Sequence, residues 1–473
     1  MLTAVIVYMS ILVLVGAWRS RRVKTGDDFL VAGRTLPARV LVFTLLATWV
    51  GSGSLFGGAG LGYRSGFSAL WQSAGAWVGI ALVYFIAPRV RRIAQYTVPD
   101  ILELRYGPVA RVLGTITTVL AYATIAAYQF RGGGRLLALV ADVDPGTGSL
   151  ITAVFCILFT SLAGMLSIAY LDVGNGIVIT IAVVLGLAFL VDDHGGLSMA
   201  MESLRPEQLT LFGELGPQAA VALFLPTMFL LLGEANMYQK FFSARDERAA
   251  RLAVVGWIVG TIVVETLIDS LGIFGSLSVS GLSPGESEEI VVRVATDVLP
   301  PFLGLLLVCG AAAIVVSTAN SFLLTPATNL IRDVYQRFIN PGVTDAKMVV
   351  YTRLIVVVIG GLGYIAGDFF PTILAMALWA YTMYGAGITP ALLGALLWKR
   401  ATRQGGVASI AVGMVTTLGW EMVGLVRAVD GDPEYLFGWQ TAYPALALSI
   451  GTLIVVSLLT SPPKESEVRL GAS

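Results

Sequence analysis

Ala47-Thr48-Trp49-Val50-Gly51-Ser52-Gly53-Ser54, followed at once by Gly57-Gly58-Ala59-Gly60-Leu61-Gly62, cuts through an otherwise apolar run at 37–61. In lipid, backbone N–H and C=O groups have no water to turn to, so a glycine-dense break within a spanning helix marks a place where the backbone lines a protein cavity. Half-helix ends and freed carbonyls at such a break are suited to holding a small ion or solute. The same glycines would also let two helices approach closely. From this segment alone both readings stand. A dinucleotide-binding loop is a poor third, because no strand–turn–helix unit surrounds the glycines.

Twelve further runs accompany it, near 2–18, 67–88, 112–140, 148–170, 172–191, 217–235, 252–279, 300–325, 348–366, 370–398, 405–426 and 442–460. Each approaches the roughly 20 apolar residues that a spanning helix needs. The runs are continuously apolar, without the alternation of a spanning strand, so helix is expected over barrel. An all-α integral membrane protein with about 13 transmembrane helices follows, one transporter domain over 1–460 with a short tail at 461–473. Composition agrees: 13% of residues are charged and mean hydropathy is +0.82, against about 25% charged in soluble domains. That excludes an ordinary soluble enzyme, and 30 Lys/Arg against 30 Asp/Glu leave no basic excess for nucleic acid. Cys156 and Cys309 lie in apolar runs and imply no disulfide framework. The first run lacks the basic leader and small-residue cleavage site of a signal peptide.

Charge placement sets an orientation. With the N-terminus outside, 24 Lys/Arg fall on the inner side and only Arg64, Arg205, Arg293 and Arg427 on the outer, as the positive-inside rule requires. A cytoplasmic C-terminus and a plasma (inner) membrane location are therefore expected. Five acids sit at membrane depth: Asp172, Glu234, Glu265, Asp269 and Glu421. So do Arg131 and Arg135. Buried ionisable residues of this kind are costly and default to functional hypotheses.

A milder interruption occurs in the seventh run at Pro226 and Gly233. The second and seventh runs would then open two five-helix units, about 37–191 and 217–398, a paired pattern that points to an inverted repeat around a midplane site. The ninth run carries Ser317-Thr318, then Asn320, Ser321 and Thr325. Adjacent hydroxyls can ligate a small cation, or can bond back to carbonyls one turn earlier.

In chain order, several segments resemble the sodium/solute symporters, a family with the leucine-transporter fold. They are Gly26-Asp27-Asp28-Phe29-Leu30-Val31-Ala32-Gly33-Arg34, Gly60-Leu61-Gly62-Tyr63 with Leu70-Trp71, and Thr97-Val98-Pro99-Asp100 with Arg105-Tyr106-Gly107. Tyr238-Gln239-Lys240-Phe241, Ser317-Thr318 with Asp333-Val334-Tyr335, and Trp398-Lys399-Arg400 with Gly405-Gly406 complete the series. The resemblance implies a Na+ site formed by backbone carbonyls of Ala47, Val50 and Ile314 and hydroxyls of Ser317 and Thr318, with Asp172 along the inward ion route. An all-oxygen shell without carboxylates suits a monovalent ion, whereas Ca²⁺ recruits carboxylates. The sugar-carrying branch has an acid where this chain has Ser73, and polar or aromatic sugar contacts where it has Thr227, Leu230 and Leu231. A sugar is therefore not expected.

Thr48, Trp49, Ser52, Gly53, Ser54, Gln72, Thr227 and Leu231 would line the solute cavity. Arg131 and Arg135, four apart with Gly132-Gly133-Gly134 between them, share a helix face. Arg131 could clamp a substrate carboxylate, or snorkel, or pair with an acid. Glu265 and Asp269 share a face of the eighth run, where they could hold a proton, attract a cationic solute or pair with the arginines. The expected function is secondary active symport that couples inward Na+ flux to uptake of a small polar solute by alternating access, and Arg131 points to a carboxylate-bearing solute, an amino acid or organic acid. The alternatives are a proton-coupled carrier using Asp172 or Glu265/Asp269 and a transport-derived receptor, although no signalling domain follows Thr460. An enzyme is not expected, since the single histidine, His194, lies in a loop. The expected partners are Na+, the solute and the bilayer; no oligomeric state is legible.

Overall fold

The computed structural model describes residues 1–20, 32–93, 95–162, 165–428 and 433–463, with side chains at 16–20, 165–168 and 170 left aside. Arg21, Arg22, Lys24, most of the Gly26–Arg34 segment and the charges of the tail lie outside the described residues. The described residues are predominantly helical, and the sole strand-like feature among them is a bridge between Leu36 and Ala244.

The helices that matter below are α1 (Leu2–Ser20), α2 (Ala38–Trp49), α3 (Ala59–Ser65), α4 (Leu70–Ile93), α5 (Val98–Tyr106), α6 (Pro108–Ala141), α7 (Pro145–Leu162) and α8 (Met165–Asp193). They continue as α9 (Gly216–Gly233), α10 (Ala235–Ser243), α11 (Glu247–Ser278), α12 (Pro301–Asn329), α13 (Asp345–Ala366), α14 (Ile373–Gly387), α15 (Thr389–Leu397), α16 (Arg403–Val426) and α17 (Ala442–Leu459). Among the described residues eleven helices are long and apolar enough to cross a membrane, while Leu2–Val15 and Ala38–Trp49 are shorter apolar helices. The expected count of thirteen spans is thus not met by length alone. The second run is cut at Val50, which turns extended (φ −68°, ψ 112°), before it reaches span length.

Breaks recur where the sequence is weakest. After Val50 the chain re-enters helix through a wide π-type turn at Gly53–Gly58 and runs on into α3. The seventh run breaks at Glu234 (φ −64°, ψ 116°), between α9 and α10, whereas Pro226 is accommodated inside α9. A third break, at Ile388, separates α14 from α15. The carbonyls freed near Glu234 are bonded by side chains: Tyr238 donates to Leu232 (2.8 Å), Tyr384 to Gly233 (2.8 Å) and Thr389 to Phe229 (2.7 Å). Helix ends buried in a membrane require such partners.

Around the first break, α12 packs on α8 and α6, α11 packs on α4, α2 and α3, and α14 packs on α6 and α9. Gly256 and Gly260 of α11 lie against Val42 and Leu46 of α2, a packing contact. α16 and α17 pair with each other at the edge and touch α14.

Candidate functional site at the broken helix

Helix α2 ends at Trp49, and its last carbonyls have no partner further along the helix. Two of them, from Ala47 and Val50, point at Thr318 of α12, whose hydroxyl donates to both, at 3.2 and 3.1 Å. Ser317, beside it, donates to Asp172 Oδ1, and Thr44 donates to Asp172 Oδ2 at 2.5 Å. Ile314 lies one turn earlier on α12 and is fully buried. All seven of these residues are at most 2% exposed. The face of the break turned toward α8 and α12 therefore gathers carbonyl, hydroxyl and carboxylate oxygens in one buried spot. This donor set is hard and oxygen-only, which fits a hard cation better than a soft metal.

The opposite face of the break differs in character. Trp49 Nε1 donates to Glu265 Oε1 at 2.6 Å, and the Ser54 hydroxyl approaches the same oxygen at 3.4 Å. The Ser52 backbone N–H donates to Gln129 Oε1 at 2.8 Å, so a side chain of α6 satisfies a donor left open by the break. Ser73 donates to Asp269 at 2.7 Å. Tyr128 and Tyr381 join hydroxyls at 3.3 Å, close to Gly53, and the Tyr381 ring lies 5.8 Å from that of Trp49. Gly58 is needed here because a Cβ would come within 2.8 Å of Asp269 Oδ1.

Not every expected cavity residue reaches this face. Thr48 turns the other way: its hydroxyl accepts from Lys240 Nζ at 2.7 Å and lies 3.3 Å from Ser321 Oγ. Thr227 bonds back to Leu223 and packs against Gly75, and Leu231 packs against Gly79, so both serve the α4–α9 contact. Arg131 is also elsewhere. Its guanidinium donates to the carbonyls of Gly367 (3.2 Å), Phe370 (2.6 Å) and Pro371 (3.4 Å), binding the loop after α13. A carboxylate clamp at midplane is thus not the geometry found; four-residue spacing fixes a helix face but not a depth. The glycines beside Arg131 admit helices rather than a ligand: a Cβ on Gly132 would lie 2.2 Å from Ser52 Oγ, and Gly133 and Gly134 face Thr152 and Ser149.

Arg135 pairs with Glu288 at 2.8 Å, and Glu288 also accepts the N–H groups of Ile373 and Leu374 at the start of α14. The arginines therefore leave Glu265 and Asp269 alone. Gln129, Tyr128, Tyr381 and Thr44 were not foreseen, since hydroxyls and amides scattered along apolar helices carry no spacing signal. Lys240, counted as an inner-loop charge, is in fact fully buried. Its four-residue distance from Asn236, and Glu234 before it, could have marked a polar helix face.

The model of the Sodium:solute symporter family matches residues 29–413. The high-affinity proline transporter PutP of Bacillus subtilis is 24% identical over 471 residues, covering 96% of this chain and 97% of that protein. The sodium/pantothenate symporter of Escherichia coli is 26% identical over 477 residues, covering 95% and 94%. Among solved structures, a Na+-coupled sialic acid symporter in a substrate-bound outward-open state superimposes with TM-score 0.79 at 17% identity over 98% of both chains. Mhp1, a nucleobase-cation-symport-1 family transporter, gives 0.59 at 14% identity over 94% of this chain and 97% of that one. The chain is an integral membrane protein that belongs to the sodium:solute symporter family.

Proposed function

We propose that this protein is a secondary active symporter that couples Na+ entry to uptake of a small polar solute by alternating access. The observation that carries the reading is the convergence of the Ala47 and Val50 carbonyls on Thr318, with Ser317 joined to Asp172 beside them. Na+ would bind the carbonyls of Ala47, Val50 and Ile314 and the hydroxyls of Ser317 and Thr318. Because the end of α2 supplies two of the carbonyls and α12 supplies the third together with the hydroxyls, separating the two helices would dismantle the site and release the ion. Asp172 would receive it on the way in. The transporter unit is taken as residues 1–460, with halves at 37–191 and 217–398 and the N-terminus outside, the orientation that the Lys/Arg asymmetry supports. A member of a transporter family whose polar site is built for ion release is read as a carrier, not an enzyme.

Sodium dependence can be tested before the solute is known. A ligand that binds only the folded state raises its stability. Purified protein should therefore melt higher in NaCl than in isotonic KCl, and Ser317→Ala/Thr318→Ala should abolish that difference. If the double variant kept the full sodium shift, the ion site would lie elsewhere. A shift produced by lowering pH in sodium-free buffer, and none by sodium, would support proton coupling instead.

A further inference from the structure

Glu265 and Asp269 lie one turn apart on α11, are 2% and 1% exposed, and face the broken helix from the side away from the ion site. Neither has an Arg or Lys partner among the described residues, since Arg131 and Arg135 bond the loops near Gly367 and Glu288. Two carboxylates enclosed in a membrane protein without a cation are expensive, and such charges are normally paired.

The other groups around them point the same way. Gln72 is 6% exposed, and its carbonyl oxygen has no hydrogen-bond partner among the described residues; it lies with Asp269 Oδ1 and the Gly53 carbonyl around Gly58. The second oxygen of Glu265 also lacks a well-formed hydrogen bond, with the Trp77 indole beside it. The wall is therefore an array of acceptors, and its apolar surface comes from the Trp49 and Tyr381 rings. Carboxylates combined with aromatic faces recognise ammonium groups, by charge and by cation–π attraction.

We propose that Glu265 and Asp269 select the solute by its positively charged nitrogen, so that the transported compound is a small amine, zwitterionic or cationic, rather than an anion lacking an amine. This deepens the symport reading and rests on it for the location of the solute site. The carboxylate pair compensates the ammonium charge, Gln72 accepts one of its hydrogens where it has any, and Trp49, held by its bond to Glu265, supplies a ring face. A solute whose only charge is negative would meet two carboxylates and no cationic side chain at this wall.

The test is thermal unfolding of the purified full-length protein with five probes: L-proline, glycine betaine, choline, pantothenate and N-acetylneuraminate, each in NaCl and in KCl. At least one of the first three should raise the melting temperature, and neither of the last two should. Glu265→Gln, close to isosteric, should weaken the effective amine by about thirtyfold or more, and Glu265→Gln/Asp269→Asn should abolish its shift. Both variants should keep the wild-type sodium shift, which also shows that they fold. The proposal is overturned if pantothenate or N-acetylneuraminate stabilises, if none of the three amines does, or if amine binding survives in the double variant. Loss of the sodium shift in the double variant also overturns it, because the carboxylates would then hold a metal ion. An amine that binds equally in NaCl and KCl would refute sodium coupling while leaving the charge selectivity standing.

Discussion

Lys240 donates to the Thr48 hydroxyl at 2.7 Å while being fully buried. Thr48 belongs to the last turn of α2, and Lys240 belongs to α10, the helix after the second break. The contact therefore joins the two interrupted segments directly. It also brings a positive charge near Asp172, the carboxylate bonded by Thr44 and Ser317.

A fixed cation near the ion site competes electrostatically with Na+. Lys240→Met keeps most of the side-chain volume and removes the charge. The expected result is tighter sodium binding, by roughly tenfold or ~1.4 kcal/mol, read from the sodium concentration that half-saturates the thermal shift. Weaker sodium binding would mean instead that Lys240 serves the site by holding Thr48 in position.

Gln129 sits at the other side of the same break, where its Oε1 accepts the Ser52 N–H at 2.8 Å. Gln129→Ala leaves that donor buried and unmade, which costs about 1–3 kcal/mol. The melting temperature should fall, and the solute should bind more weakly, since the break is no longer held to α6. Gln129→Met keeps most of the volume but has no strong acceptor and should lose nearly as much stability. A Met variant as stable as the wild type would show that packing, not the hydrogen bond, matters here.

How far these relationships could be read from the sequence depends on what kind of signal each one leaves. The break in α2 announces itself because five glycines in ten residues, Gly51, Gly53, Gly57, Gly58 and Gly60, have no place in an ordinary apolar helix. Ser317-Thr318 stands out for the converse reason, as paired hydroxyls in a long apolar run. Partnerships across helices leave no such trace. Arg131 and Glu265 both sit in spans, yet spacing along a helix gives a face and not a depth, so the loop after α13 could not be foreseen as the arginine's partner. Lys240 misled for a related reason. Charge counting treats every lysine near a span end as a loop residue, and only packing against α2 reveals that this one is inside.

Arg131 provides a direct check on that correction. With its guanidinium on the carbonyls of Gly367, Phe370 and Pro371, Arg131→Ala should loosen the loop after α13 and raise its protease sensitivity. Affinity for the effective amine probe should stay within about twofold, whereas a clamp on a substrate carboxylate would lose about thirtyfold or more. A loss of that size would return Arg131 to the solute site.

On the face that carries α5 and the segment after α12, Glu103 accepts hydrogen bonds from Arg337 (2.9 Å) and Arg111, and Arg111 also pairs with Asp100 (2.5 Å) and Asp333 (2.7 Å). Partial burial pushes the Glu103 carboxyl up, but the bonds from Arg337 and Arg111 outweigh it and hold the group below its usual range. A carboxylate lowered on folding adds stability above its unfolded pKa of about 4.3, and that stability is lost as pH falls through the lower folded value. Stability should thus decline with acidification below about pH 4.3. Glu103→Gln should flatten this part of the decline while lowering stability at neutral pH. An unchanged acid profile in the variant would mean that the other carboxylates of the cluster carry the pH dependence.

Gly132 of α6 makes one of the tightest approaches to the break, against Ser52. A Cβ at 132 would lie 2.2 Å from Ser52 Oγ and 2.7 Å from its Cβ. Neither atom can retreat far, because Ser52 is fully buried and its own N–H is tied to Gln129. Gly132→Ala should therefore cost about 1–3 kcal/mol through overpacking and should displace the break relative to α6. Sodium affinity would fall with it, since Val50 is only two residues from Ser52. Removing the opposing side chain relieves the clash without restoring any hydrogen bond of the Ser52 hydroxyl, which has none among the described residues. The double variant Gly132→Ala/Ser52→Gly should then regain most of the lost sodium shift, and Ser52→Gly alone should leave it nearly unchanged. Losses that simply add in the double variant would place the two residues out of contact, and the tight α2–α6 approach described above would be wrong.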